Sequence, residues 1–73
     1  MPHITMTLYP GRKPEDLEKM AQALRQSLMD TVGWPAEALS VSVVEKTPEE
    51  FGDFVQNRLK DEKLLIASDY VKA

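Results

Sequence analysis

Polar and apolar residues alternate one by one near the start of the chain, in the stretch PHITMTL at residues 2–8. Ile4, Met6 and Leu8 share one parity and His3, Thr5 and Thr7 the other, which predicts a half-buried strand. Tyr9-Pro10-Gly11-Arg12-Lys13 breaks the ladder and predicts a turn. From Pro14 the period lengthens. Leu17, Met20, Ala21, Leu24 and Leu28 recur at i, i+3, i+4, i+7 and i+11, the single apolar stripe of a helix. Pro14 suits the first helical position, and Glu15 and Asp16 favour the positive end of the helix dipole. The helix is expected to stop near Thr31–Gly33, with Gly33 in a left-handed cap and Pro35 forbidding continuation; Trp34 is expected to cover that end.

Alternation returns in LSVSVV, residues 39–44, as a second strand. Thr47-Pro48-Glu49-Glu50 is a capping box, with threonine as cap and glutamate three residues on. It opens a long second helix carrying Phe51, Phe54, Val55 and Leu59. Lys60–Lys63 is charged throughout, either a solvated face or a break. Leu64-Leu65-Ile66 is apolar enough to dock, and Asp69–Ala73 reads as a tail.

Strand, crossover helix and strand make a βαβ unit, so the strands should be parallel with a right-handed connection. The fold class is therefore α+β: one domain over residues 1–73, a βαβ unit followed by a second C-terminal helix. Two parallel strands with helices on one side leave a sheet face and both edges open, and an isolated two-stranded sheet is marginal in water. A two-fold dimer joining two units into a four-stranded sheet is the simplest repair. The dimer is favoured over a hexamer because of the long second helix and the lack of a Gly-rich hairpin near the C-terminus. Any active site is then expected to borrow residues from a neighbouring chain.

Composition narrows the chemistry. With 73 residues, a core this small needs staples or partners. There is no cysteine, hence no disulfide and no thiolate, and the one histidine, His3, is too few for a histidine-built metal site. The net charge of −3 with scattered Lys and Arg argues against a nucleic-acid partner. No window approaches the ~18–20 apolar residues of a membrane span, and the N-terminus lacks the pattern of a secretory signal. Cytoplasmic residence is the default.

The notable nitrogen belongs to Pro2. Once Met1 is removed it becomes a free secondary amine, set by strand parity on the side of Ile4, Met6 and Leu8. Desolvation there disfavours the ammonium form, and a nearby cation disfavours it further. A neutral amine near pH 7 is a competent general base. Taken alone, Met-Pro is a common beginning that carries no meaning.

The wider pattern changes that. PHITMTLYPGR, LSVSVV and EKTPEEFG together resemble the 4-oxalocrotonate tautomerase family. The opening PHI, the PEEF after the second strand and the LI…Y tail are similar to the small branch called tautomerase PptA, which acts on phenylenolpyruvate-like compounds. The resemblance covers most of the chain. It implies a cofactor-independent keto–enol tautomerase acting on a small enol or 2-keto acid, with no cofactor because the substrate's conjugation carries the electrons. It implies Pro2 as general base, Arg12 as the carboxylate-binding residue after the first strand, and Phe51 as the aromatic wall of a dry pocket. The family's further arginine on the second strand is absent: Ser42 stands at its position, so the site is less suited to a dicarboxylate.

Each residue also has a plainer reading. Arg12 beside Lys13 could be a solvated turn arginine; the resemblance favours the substrate role. Phe51 shares a helical stripe with Phe54 and Val55, so core and pocket are balanced. Arg58 reads as a surface arginine before a second cation, and His3 as a strand histidine at an interface or rim. Two rival functions stand beside tautomerisation. One is hydration or dehalogenation of an unsaturated acid by the same proline; the other is a non-catalytic dimeric interaction module.

Overall fold

The computed structural model describes residues 1–69 and 71. Strand β1 spans His3–Leu8, helix α1 Pro14–Val32, strand β2 Ser40–Glu45 and helix α2 Pro48–Asn57. Short 3₁₀ turns, Ala36–Ala38 and Leu59–Asp61, precede β2 and follow α2. β1 and β2 form a two-stranded parallel sheet in which His3 pairs with Ser40, Thr5 with Ser42 and Leu8 with Glu45. The ladder continues one step past each end, with the Ser40 N–H donating to the Pro2 carbonyl at 3.4 Å and the Lys46 N–H to the Leu8 carbonyl at 2.9 Å.

Local signals place the helix ends. Pro14 opens α1 without a side-chain cap, since its missing N–H is one that the first turn leaves unpaired in any case. Gly33 closes α1 at φ 77°, ψ 15°, donating its N–H to the Met29 carbonyl. A side chain at that φ would be strained even though the space around it is open. Trp34 stays largely exposed just beyond. The Thr47–Glu50 capping box is complete: the Thr47 N–H donates to Glu50 Oε1 at 2.8 Å and the Glu50 N–H to Thr47 Oγ1 at 3.2 Å.

Paired residues of a parallel sheet share a face, so Ile4 and Met6 stand with Val41 and Val43. α1 packs against β2, and its stripe and this apolar set are all half-buried. The other face carries His3, Thr5, Ser40 and Ser42.

The chain closes very little core on its own. Among the described residues Leu39, 5% exposed, is the one buried hydrophobic. The accessible surface is 5939 Å², against about 4,600 Å² for a compact monomer of this mass. The Cα radius of gyration is 13.6 Å, where about 11 Å is typical of this length.

Beyond α2 the structure departs from expectation in two places. α2 is short, ten residues, and ends at Asn57, so Leu59 lies in the 3₁₀ turn instead of on the helix. The charged run Lys60–Lys63 is a break, exposed throughout. Beyond it Leu64 is half-buried, but Leu65 and Ile66 are 80% and 87% exposed. The expected docking of that triplet therefore does not occur within the chain. Of the expected tail, Tyr70, Lys72 and Ala73 lie outside the described residues.

The α2 cap yields a pH prediction. The Thr47 backbone N–H, then the Thr47 hydroxyl, hold the Glu50 carboxyl below its ordinary value, with Lys46 adding a smaller pull. A depressed folded pKa stabilises the fold above the ordinary glutamate range, and that contribution is lost as pH falls through the lowered value. Thr47→Ala should cost about 1 kcal/mol at neutral pH, read by denaturant unfolding. Glu50→Gln should flatten part of the acid limb of stability against pH. An unchanged acid limb in Glu50→Gln would show that this carboxylate does not cap α2 in solution.

Candidate functional site

A concavity of about 610 Å³ opens at the C-terminal end of β1. Its floor and walls include Thr7, Tyr9, Arg12, Phe51, Ser68 and Val71. Local backbone geometry explains why Arg12 arrives there. Gly11 takes φ 120°, which a residue with a Cβ adopts only under strain, and the chain turns directly after β1. Arg12 is exposed and, among the described residues, has neither an ion-pair nor a hydrogen-bond partner. A cation unpaired in this way is free to meet an anion.

Phe51 sits in the first turns of α2, its N–H donating to the Thr47 carbonyl at 2.8 Å. The capping box thus sets its position. Its ring meets Tyr9 edge-on at 5.2 Å and 67°, and Phe54 at 5.8 Å and 76°. Phe51 therefore serves packing and cleft at once: half-buried against Phe54 while walling the concavity that holds Arg12. Lys46 Nζ lies 5.6 Å above the Phe54 ring, on the far side of this aromatic run.

Pro2 is not among the described residues that line the cleft. It precedes β1, and six residues of strand at about 3.3 Å each put it about 20 Å from Leu8. One chain accordingly brings Arg12 and Phe51 together and holds Pro2 at the opposite end of the same strand. Pro2 is half-buried, and Met1 before it is fully exposed.

The remaining candidates separate. Arg58 lines a different open depression with Lys46, Glu50 and Asp53, so it brings no second cation to the Arg12 cleft within the chain. His3 lies exposed on the polar sheet face, its Nδ1 2.6 Å from Ser40 Oγ and its Nε2 3.0 Å from Ser42 Oγ. Ser42 is also 3.3 Å from Thr5 Oγ1. No group of three or more His, Asp or Glu among the described residues could hold a metal ion. No helix among them is long and apolar enough to cross a membrane.

Among the cleft residues that sequence reasoning missed are Tyr9, Ser68 and Val71. Tyr9 read as part of a turn, although its ring continues the strand end and reaches Phe51. Ser68 and Val71 come from the last residues of the chain, with the Ser68 N–H bonded to the Val71 carbonyl at 2.9 Å. No local pattern announces that the chain returns to the cleft.

Solved structures define the class. The crystal structure of TomN, a 4-oxalocrotonate tautomerase homologue in the tomaymycin biosynthetic pathway, is 38% identical with a TM-score of 0.65, over 68% of this chain and 77% of that one. A second crystallised member of the 4-oxalocrotonate tautomerase family is 30% identical with a TM-score of 0.61, over 63% of this chain and 72% of that one. YwhB, another 4-oxalocrotonate tautomerase homologue, shares the fold at 21% identity and a TM-score of 0.65, over 85% of this chain and all of that one. Neither a protein-family model nor a curated protein matches the chain. The βαβ unit with its second helix is the tautomerase fold, and the chain belongs to the 4-oxalocrotonate tautomerase family.

The aromatic run can be tested by coupling. Tyr9→Leu and Phe51→Leu, singly and together, should show an interaction energy of about 0.5–1.5 kcal/mol in denaturant unfolding. Strict additivity would show that the two rings do not meet in solution.

Proposed function

We propose that the protein is a cofactor-independent keto–enol tautomerase for a small enol or 2-keto acid. Pro2 is the general base once Met1 has been removed, Arg12 holds the substrate carboxylate, and Phe51 with Tyr9 forms the apolar wall. The single observation that carries this is the unpaired Arg12 in an aromatic-walled cleft, in a family member with proline at position 2. With one cation and two rings among its described residues, the cleft suits a monocarboxylate with a flat unsaturated group. That agrees with the branch resembled by the opening PHI and by PEEF.

The reaction is an isomerisation. The neutral Pro2 amine accepts the enol O–H proton as the carbonyl forms. The π pair of the carbon–carbon double bond takes a proton at carbon, which the ammonium of Pro2 returns. Atoms and electrons balance without a co-reactant. Water excluded by the aromatic wall strengthens the contact between Arg12 and the carboxylate.

Assembly solves the distance between the parts. We place a second copy of the chain across the free edge of β1, antiparallel about a two-fold axis, giving a four-stranded sheet. An antiparallel pair sets the start of one β1 beside the end of the other, so Pro2 of one chain reaches the cleft of its partner. Pairing through β2 would leave them apart. Support for a dimer now comes from the uncovered surface and from this geometry, since α2 is too short to carry the earlier argument from helix length.

Two predictions follow from the divided site. Arg12→Ala should weaken carboxylate substrates by roughly 10- to 150-fold, the worth of a charge-assisted hydrogen bond, and leave an uncharged analogue almost untouched. Mature protein should gain activity as pH rises and the Pro2 amine loses its proton, whereas protein retaining Met1, whose Pro2 nitrogen is an amide, should have none. Full turnover by Met1-retaining protein of verified mass would remove Pro2 as the base.

Mixing tests the assembly. Met1-retaining chains, which lack the base, and mature Arg12→Ala chains, impaired on a carboxylate substrate, should together reach roughly a quarter of wild-type activity on that substrate when re-equilibrated, because half the dimers carry one complete site. No recovery despite exchange of chains, or an 8.3 kDa species with full activity in sedimentation, would overturn the shared site.

A further inference from the structure

The polar face of the sheet holds a contact that the reaction scheme does not use. The His3 imidazole lies across β2 with both ring nitrogens engaged, Nδ1 by Ser40 Oγ at 2.6 Å and Nε2 by Ser42 Oγ at 3.0 Å. We propose that His3 is a positioning residue, clamping the first rung of the sheet so that the terminal amine of Pro2 keeps one orientation. This rests on the reading of Pro2 as the base.

Pro2 by itself is weakly held. Its ring fixes φ, so ψ and the peptide joining it to His3 decide where the amine points. The one backbone tie on that peptide is the Ser40 N–H to the Pro2 carbonyl at 3.4 Å, well beyond the usual ~2.9–3.0 Å. Strand ends tied so loosely fray. A base that wanders loses the alignment on which proton transfer depends.

The imidazole supplies the missing restraint. Ser40 and Ser42 are two residues apart on one face of β2, so the ring spans two rungs and opposes both sliding and twisting of the strand end. Thr5 Oγ1, 3.3 Å from Ser42 Oγ, links the next rung of β1 to the same hydroxyl. A neutral imidazole donates from one nitrogen and accepts at the other, and a serine hydroxyl can do either, so both tautomers fit. His3 lies on the opposite sheet face from the parity of Pro2, and both its ring nitrogens are taken up by serine hydroxyls. Its effect on the amine is therefore through backbone position.

The site of the family's missing arginine is thereby occupied. Ser42 is engaged by His3 and Thr5, so in this chain that position holds the strand end in place of a second substrate cation.

The test compares His3→Ala with the double variant Ser40→Ala/Ser42→Ala, which keeps the imidazole but removes both its partners. Three quantities are read on mature, correctly assembled protein: kcat and KM for an enolpyruvate, the pH midpoint of kcat, and hydrogen exchange at the Ser40 amide. Both variants should lose about tenfold or more in kcat with KM unchanged, since Arg12 is untouched. In both, the midpoint should rise towards that of an ordinary α-amine as the freed amine gains water, and Ser40 exchange should quicken. Because the double variant retains His3, a shift common to both cannot come from losing the imidazole's charge. Adding His3→Ala to the double variant should change nothing further.

Unchanged kcat and midpoint in the folded variants would overturn the clamp, as would an effect confined to His3→Ala. If His3→Ala does not fold, the double serine variant decides. Should Met1-retaining protein prove fully active, the tautomerase reading itself fails. Ser40 exchange still reads the clamp in that case, and an unchanged exchange rate in the variants would refute it independently of activity.

Discussion

Six rungs of parallel pairing, from His3–Ser40 to Leu8–Glu45, govern the geometry of this protein. Parallel strands need a crossover, and α1 provides it while covering the apolar face. The same rungs separate the two ends of β1 by the length of the strand, so the residue before it and the turn after it cannot meet in one chain. A catalytic role for both Pro2 and Arg12 thus requires a second copy, and the proposed two-fold pairing follows from strand length before any detail of the site is considered.

The burial pattern points the same way. A chain with Leu39 as the one buried hydrophobic among its described residues, and an accessible surface well above that of a compact monomer, has not completed its core. Val32, Trp34, Leu65 and Ile66 remain exposed, and burial of such side chains is worth roughly 1.5–3 kcal/mol each when complete. In the proposed dimer, closing the core and completing the site are one event, which couples stability to activity.

In the proposed site, chemistry is divided between the two sheet ends with little redundancy. Among the described residues, the cleft end has one unpaired cation and an edge-to-face aromatic run held by the α2 cap. The other end has a proline whose backbone is tied by one long hydrogen bond and, through His3, by two serine hydroxyls. Ser42, on the polar face of β2, supplies one of the two partners of His3.

Local chemistry made the elements legible. Pro14 at a helix start, Gly33 in a left-handed cap and the reciprocal Thr47–Glu50 bonds each act within a few residues, so their consequences can be read from neighbours in the chain. Period-two alternation likewise revealed both strands and their apolar faces, and a helix between two strands implied parallel pairing. Family membership, too, was visible in PHITMTLYPGR, LSVSVV and EKTPEEFG. The end of α2 was misjudged because the Phe54, Val55 and Leu59 pattern continues past the point where the backbone tightens into a 3₁₀ turn. Tertiary structure alone decided the meeting of Tyr9 with Phe51, the return of Ser68 and Val71 to the cleft, and the distance from Pro2 to Arg12. It also decided which serines hold His3. Alternation tells which face a side chain takes but not which rung it sits on, and only the register of β1 against β2 sets that ring between Ser40 and Ser42.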